Sequence, residues 1–238
     1  MSGTGRLREH RLKPHLVYLL ILVPLPSIGL IFAMVWPVTR GTVFGQALYF
    51  TAKTLLLVIP MWAFWKQGRK FGSLLPLAKR AIIRGFLWGL CFAVTISIGI
   101  QAALWLGLNG DTIKNAAAAN GLESLPRYIG LVLFLSFFNS LCEEFIWRDF
   151  LYRQWATMCA TLPAVLLTNL SFTLHHTLAL LNQTSWMPTV LGSLAVFGAG
   201  CIWSWLYLQN RSLLPGYISH ILADLAIFTW GYWIIFGT

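Results

Sequence analysis

The sequence predicts an all-α, polytopic transmembrane bundle of about seven spans, with a four-helix core in its C-terminal half. Three observations carry that prediction. Of 238 residues, 58% are hydrophobic and only 10% are charged, against roughly 25% charged in an ordinary soluble domain. The mean hydropathy is +0.71, more apolar surface than a water-facing fold of this length can bury. The apolar residues also fall into long runs, at about 16–36, 42–65, 82–108, 128–150, 160–181, 188–208 and 214–236. Each reaches the ~20 residues a helix needs to cross a bilayer. None has the short alternating pattern of a membrane barrel, so helices are the expected spans.

Pro24 and Pro26 predict a kink in the first run, because proline removes a backbone donor. The segment 109–127 is expected outside, with a short interfacial helix near Ala116–Ala119. The formal net charge of +10 comes from basic residues in short connections. Arg6, Arg8, Arg11 and Lys13 precede the first span, and Lys66, Arg69, Lys70, Lys79, Arg80 and Arg84 follow the second. Positive charge gathers in cytoplasmic loops. The expectation is therefore a multi-pass protein of a cell membrane, a bacterial inner membrane, with a cytoplasmic N-terminus. Its partner is the lipid bilayer rather than nucleic acid, since no basic-aromatic stripe is present. The four cysteines, Cys91, Cys142, Cys159 and Cys201, form no CxxC pair and read as small buried hydrophobes. The chain divides into 1–127, with about three helices and an external loop, and 128–238, the candidate catalytic core.

A charge inside a bilayer is costly and normally faces a protein interior with a partner. Five places break the apolar runs: Lys53; Glu143 and Glu144 with Arg148; His175 and His176; His220; and Asp224. Glu144 and Arg148 are four residues apart and share a helix face, so they are expected to pair. Glu143 lies about 100° round the helix and is left for proton chemistry. Phe172 and His176 share a face, and His175 turns away from it. His220 and Asp224 form a further four-residue pair. A carboxylate can take a proton from water, a histidine can share that water, and a second polar pair can stabilise an oxyanion. A serine or cysteine nucleophile fits less well: GxSxG is absent, and Cys142 sits beside two carboxylates.

Glu143-Glu144-x-x-x-Arg148, Phe172-x-x-x-His176 and His220-x-x-x-Asp224, in that order, resemble the three motifs of the CAAX protease and bacteriocin-processing (CPBP, or Abi) family. Asn210-Arg211-Ser212-Leu213-Leu214-Pro215 is similar to that family's lead-in. The resemblance covers roughly residues 125–236. It implies a glutamic intramembrane endopeptidase in which Glu143 and His176 activate water and His220 and Asp224 occupy the oxyanion positions. Glu144 and Arg148 would support the first helix, with Phe172 and His175 nearby. Eukaryotic members have Asn where Asp224 stands. An ionised Asp cannot donate a hydrogen bond, so Asp224 is expected either protonated or orienting His220. No cofactor is assigned: a Glu–His–His set can hold zinc, but HExxH is absent.

The expected substrate is a protein or peptide in or at the membrane: an anchored protein, a lipidated C-terminus or a peptide with its leader. Oligomeric state is not encoded legibly. Two other readings stay open, a non-catalytic membrane scaffold or regulator and a proton-coupled transporter. Lys53 is the best support for the transporter, although it can also snorkel or pair with a carboxylate. One geometric difficulty accompanies the protease reading. With the span limits above, Glu143 sits near mid-membrane and His176 towards the external end, roughly 10 Å or more apart. A strong tilt, a break near 149–157 or different span limits would be needed to join them. The 149–158 segment is expected within the interfacial layer.

Overall fold

In the computed structural model, which describes residues 14–105 and 109–237, eight helices account for most of the described residues and no strand occurs among them. Seven are long and apolar enough to cross a membrane: α1 Pro14–Val35, α2 Val43–Lys66, α3 Lys79–Trp105, α5 Leu125–Ala156, α6 Thr161–Gln183, α7 Trp186–Asn210 and α8 Leu214–Phe236. The short α4, Gly110–Ala119, fills the segment expected to hold an interfacial helix. The basic residues 6–13 and the end of the third run, 106–108, lie outside the described residues.

Local chemistry sets the boundaries. Thr42 caps α2, its hydroxyl accepting from the Gly45 N–H at 3.1 Å, and the Asn109 side chain does the same for α4 through Asp111 N at 2.8 Å. Such caps satisfy N–H groups that have no partner within the helix. The kink expected from Pro24 and Pro26 appears as a turn at 23–24 that divides α1. α7 ends at Arg211, which adopts the left-handed conformation with φ 50°. Ser212 then accepts from Leu214 N at 3.1 Å, and Pro215 stands in the first turn of α8, where its missing N–H costs nothing.

The bundle is polar at its centre and apolar outside. Ser140, Glu144, Arg148, Asp149, Asn169 and Ser219 are all fully buried. Leu20, Val94, Leu170, Leu194 and Trp233 are each more than half exposed. This is the reverse of a soluble domain and suits a hydrocarbon surround. Cys91 is exposed too, and the other three cysteines are only partly covered. The expectation of buried cysteines is corrected: in lipid a small apolar side chain gains nothing by facing inward.

α3 and α8 make the most extensive helix pair. Gly85 permits it. A Cβ there would meet Pro215 O at 2.8 Å and Pro215 Cα at 2.9 Å, backbone that cannot swing aside. Small residues allowing close approach are the usual device for helix association in membranes.

At the end that carries the basic connection 66–84, a charged cluster ties three elements together. Asp149, fully buried, accepts both guanidinium nitrogens of Arg69 at 2.7 and 2.8 Å, Nε of Arg153 at 2.9 Å and the Tyr207 hydroxyl at 2.7 Å. The 3-10 turn Phe71–Leu74 lies over the α7–α8 reversal, where Leu213 N donates to Leu74 O at 2.8 Å. Ser212 and Leu213 are consequently buried, so the reversal is recessed into the bundle.

Gly85→Ala should lower the melting temperature of the detergent-solubilised protein, as overpacking costs about 1–3 kcal/mol. Gly99→Ala, with nothing within 4 Å of its added carbon, should not lower it. Equal behaviour of the two variants would contradict the close α3–α8 contact.

Candidate active site

The geometric difficulty is resolved by the span limits. α5 continues unbroken to Ala156, six residues beyond the expected end, and α6 follows after a four-residue connection. Glu143 stands thirteen residues before Ala156 and His176 fifteen after Thr161. In an antiparallel hairpin those positions differ in height by only about 3 Å at 1.5 Å per residue. The break considered near 149–157 is absent. Within that segment Asp149, Phe150 and Leu151 are buried in protein.

α5 is irregular elsewhere. It is π-helical over Phe134–Asn139 and again over Glu144–Leu151. π turns are rare and cluster at functional sites. Here they flank Ser140–Glu143 and re-aim the polar side chains on either side.

Glu143, His175 and His176 each present a ligand-type atom within 4.8 Å of the others. His176 Nδ1 lies 2.9 Å from Phe172 O, so it is the protonated nitrogen and Nε2 keeps a free lone pair. His175 does not turn away as expected. Its ring lies 4.2 Å from that of His176 and stacks on Trp147 at 5.6 Å. Its Nδ1 is buried without a hydrogen-bond partner in the structure.

His220 enters from α8 only six residues after Leu214, and it reaches the same depth because the α7–α8 reversal is recessed. Three carboxylates surround its ring. Nδ1 is 3.1 Å from Glu144 Oε1, and Nε2 is 3.8 Å from Glu143 Oε2 and 3.9 Å from Asp224 Oδ1. Trp203 stacks on the ring at 4.0 Å and 15°, and its own N–H donates to Ser219 at 2.9 Å. The expected His220–Asp224 pair is thus a near neighbour rather than a hydrogen bond. Asp224 Oδ2 instead accepts from the Ser140 hydroxyl at 2.7 Å.

Behind this layer, Arg148 and Glu144 pair as expected, at 3.6 Å and both fully buried. The guanidinium lies over Phe172 at 4.5 Å and over Trp203 at 5.0 Å. Gly216 opposes them, and a Cβ there would collide with Glu144 Oε2. Asn139 and Ser140 carried no assigned role in the sequence. Asn139 lies one helical turn before Glu143 and donates to its Oε1 at 2.9 Å, a spacing legible in retrospect. No sequence signal joins Ser140 to Asp224. Asp149 and Trp203 were likewise not singled out. Lys53, from α2, lies 3.8 Å from Glu143 Oε1.

Glu143, His175 and His176 have the ligand number of a catalytic zinc centre; the Nδ1–H of His176 is committed to Phe172 O, which leaves Nε2 to ligate, and His175 is stacked on Trp147. His220 stands on the other side of Glu143, 3.8 Å from its Oε2.

Residues 125–226 match a family model described as type II CAAX prenyl endopeptidase, Rce1-like. This match agrees, over that segment, with the resemblance carried by the three motifs, and the seven apolar helices mark a multi-pass membrane protein. No curated protein and no solved structure matches the chain.

Arg148→Met should destabilise the protein by about 3–5 kcal/mol, the usual consequence of removing one partner of a buried pair. Arg148→Lys should not restore it, because an ammonium lacks the flat surface that lies against Phe172 and Trp203. Thermal unfolding in detergent measures both, and an unchanged melting temperature would contradict the packing of this pair.

Proposed function

We propose that this chain, whose segment 125–226 is of the CAAX protease family, is a glutamic intramembrane endopeptidase that cleaves peptide bonds by water activated between Glu143 and His176. The observation that carries the reading is the approach of His176 and His220, from two further helices, to the buried Glu143.

Substrate water would lie between the Glu143 carboxylate and Nε2 of His176. Glu143 takes one proton as general base, and Nε2 accepts a hydrogen bond that orients the remaining O–H. The hydroxide attacks the scissile carbonyl. In its doubly protonated form His220 donates Nδ1–H to Glu144 and has Nε2–H left for the developing oxyanion. Asp224, held by Ser140, orients that ring. Of the two roles open to it, this one is favoured, since both its oxygens face donors. When the C–N bond breaks, the proton on Glu143 passes to the leaving amine, directly or through Nε2 of His176. Water is consumed, an acid and an amine are released, and the enzyme returns to its starting state. No resident metal is needed for any step.

The substrate class is a protein or peptide at the membrane, with a lipidated C-terminus as the first candidate given the matched family. The basic connection 66–84 and the Asp149 cluster would face the cytoplasm, and the N-terminus, two crossings away, would share that side. Helices α5–α8 would form the catalytic core, and α1–α3 its lateral wall.

A quenched-fluorescent farnesylated CAAX peptide, offered to the purified full-length protein in detergent, tests this. Glu143→Gln should cut kcat by about 10²–10⁴-fold, the usual contribution of a general base, with the melting temperature unchanged. A zinc chelator should leave the wild type active. Cleavage retained by Glu143→Gln would overturn the assignment. Unfolding of that variant and of His176→Ala would favour a scaffold in which these groups only hold helices together.

A further inference from the structure

Lys53 stands outside the matched segment, near the middle of α2. It is ten residues from Val43 and thirteen from Lys66, so either helix end is roughly 15–20 Å away at 1.5 Å per residue. A lysine side chain cannot span that distance to water. A mid-span cation needs a partner inside the protein, and its ammonium lies 3.8 Å from Glu143 Oε1. The same oxygen accepts Asn139 Nδ2 at 2.9 Å. The other oxygen, Oε2, accepts no hydrogen bond from Asn139 and faces His220 Nε2 at 3.8 Å.

From this division of the carboxylate we propose that Lys53 is a positioning residue of the peptidase. With Asn139 it clamps Oε1, so that Oε2 is the oxygen presented to the water and the histidines. The inference rests on the protease reading. It assigns the N-terminal half a part in the chemistry: α2 supplies the counter-charge that α5–α8 lack on that side. A carboxylate is free to rotate about its terminal bond. An unclamped Glu143 would spend part of its time with neither oxygen directed at the water, and misplacement of a reacting group by about 1 Å can cost some 10²-fold in rate. Ala52 and Leu56, the buried neighbours of Lys53 on α2, fix the height at which the ammonium enters.

Lys53→Met and Lys53→Arg, each in the full-length protein, test the role with the same farnesylated peptide. Lys53→Met should lower kcat by about ten- to a hundredfold while KM stays within about twofold, the pattern of an interaction expressed in the transition state. Lys53→Arg, which keeps the charge and reaches Oε1, should recover most of kcat. Melting temperatures should be similar for all three proteins. A wild-type kcat in Lys53→Met would overturn the positioning role and leave the protease reading standing. So would a loss that Lys53→Arg does not recover and that follows a fall in melting temperature. A wild type that cleaves no peptide, while remaining folded, would overturn the protease reading and this role together.

Discussion

A charged group within an apolar slab must find its partner inside the protein, and this constraint organises the whole bundle. His220 carries the largest share. It receives Glu144 at 3.1 Å on one nitrogen and faces Glu143 and Asp224 on the other, while Trp203 covers its ring. Remove that imidazole and three carboxylates from two helices lose their common neighbour. Arg148 compensates from the far side of Glu144, in a slot between aromatic rings where only a flat cation fits. The helices adopt these heights because the charges must meet, and the apolar exteriors impose no competing demand on register.

Two polar assemblies divide the work. The Asp149 cluster joins the basic connection after α2 to α5 and α7 through four hydrogen bonds to one carboxylate. Both oxygens of Asp149 accept from a cation or a hydroxyl, the condition under which a buried charge is stable. The central assembly is less completely matched. Glu143 Oε2 and Nε2 of His176 have no hydrogen bond in the structure, and both atoms carry lone pairs. An unsaturated set of that kind is poor as a staple and suitable for binding a reactant.

Much of this was legible in the sequence, for identifiable reasons. Long apolar runs gave seven helices with ends correct to a few residues, apart from α5. There Arg153 and Gln154 look like a loop, yet Arg153 is neutralised by Asp149 and Gln154 bonds His15 at 2.7 Å, so the helix runs on to Ala156. That six-residue error in one boundary was the main source of the apparent separation of Glu143 and His176. The i, i+4 pattern found Glu144–Arg148, because the two share a helical face whatever surrounds them. It misjudged His175, since the π-helical turns of α5 bring Trp147 and Glu143 towards both histidines. Ser140 with Asp224, and Lys53 with Glu143, are joined across 84 and 90 positions of sequence, and no local pattern encodes which distant helix lies opposite.

The central claim is spatial: α5 and α6 bring Glu143 and His176 together at one depth. Cysteine pairs in a variant lacking the four native cysteines test it in native membranes. Glu143→Cys with His176→Cys, treated with a short bifunctional methanethiosulfonate, should gain the mass of a single bridging reagent by intact-protein mass spectrometry. Glu143→Cys with the outward-facing Leu174→Cys should gain two separate adducts. Two separate adducts on the first pair would mean that the glutamate and the histidine do not share a site, and the proposed chemistry would have no place to occur.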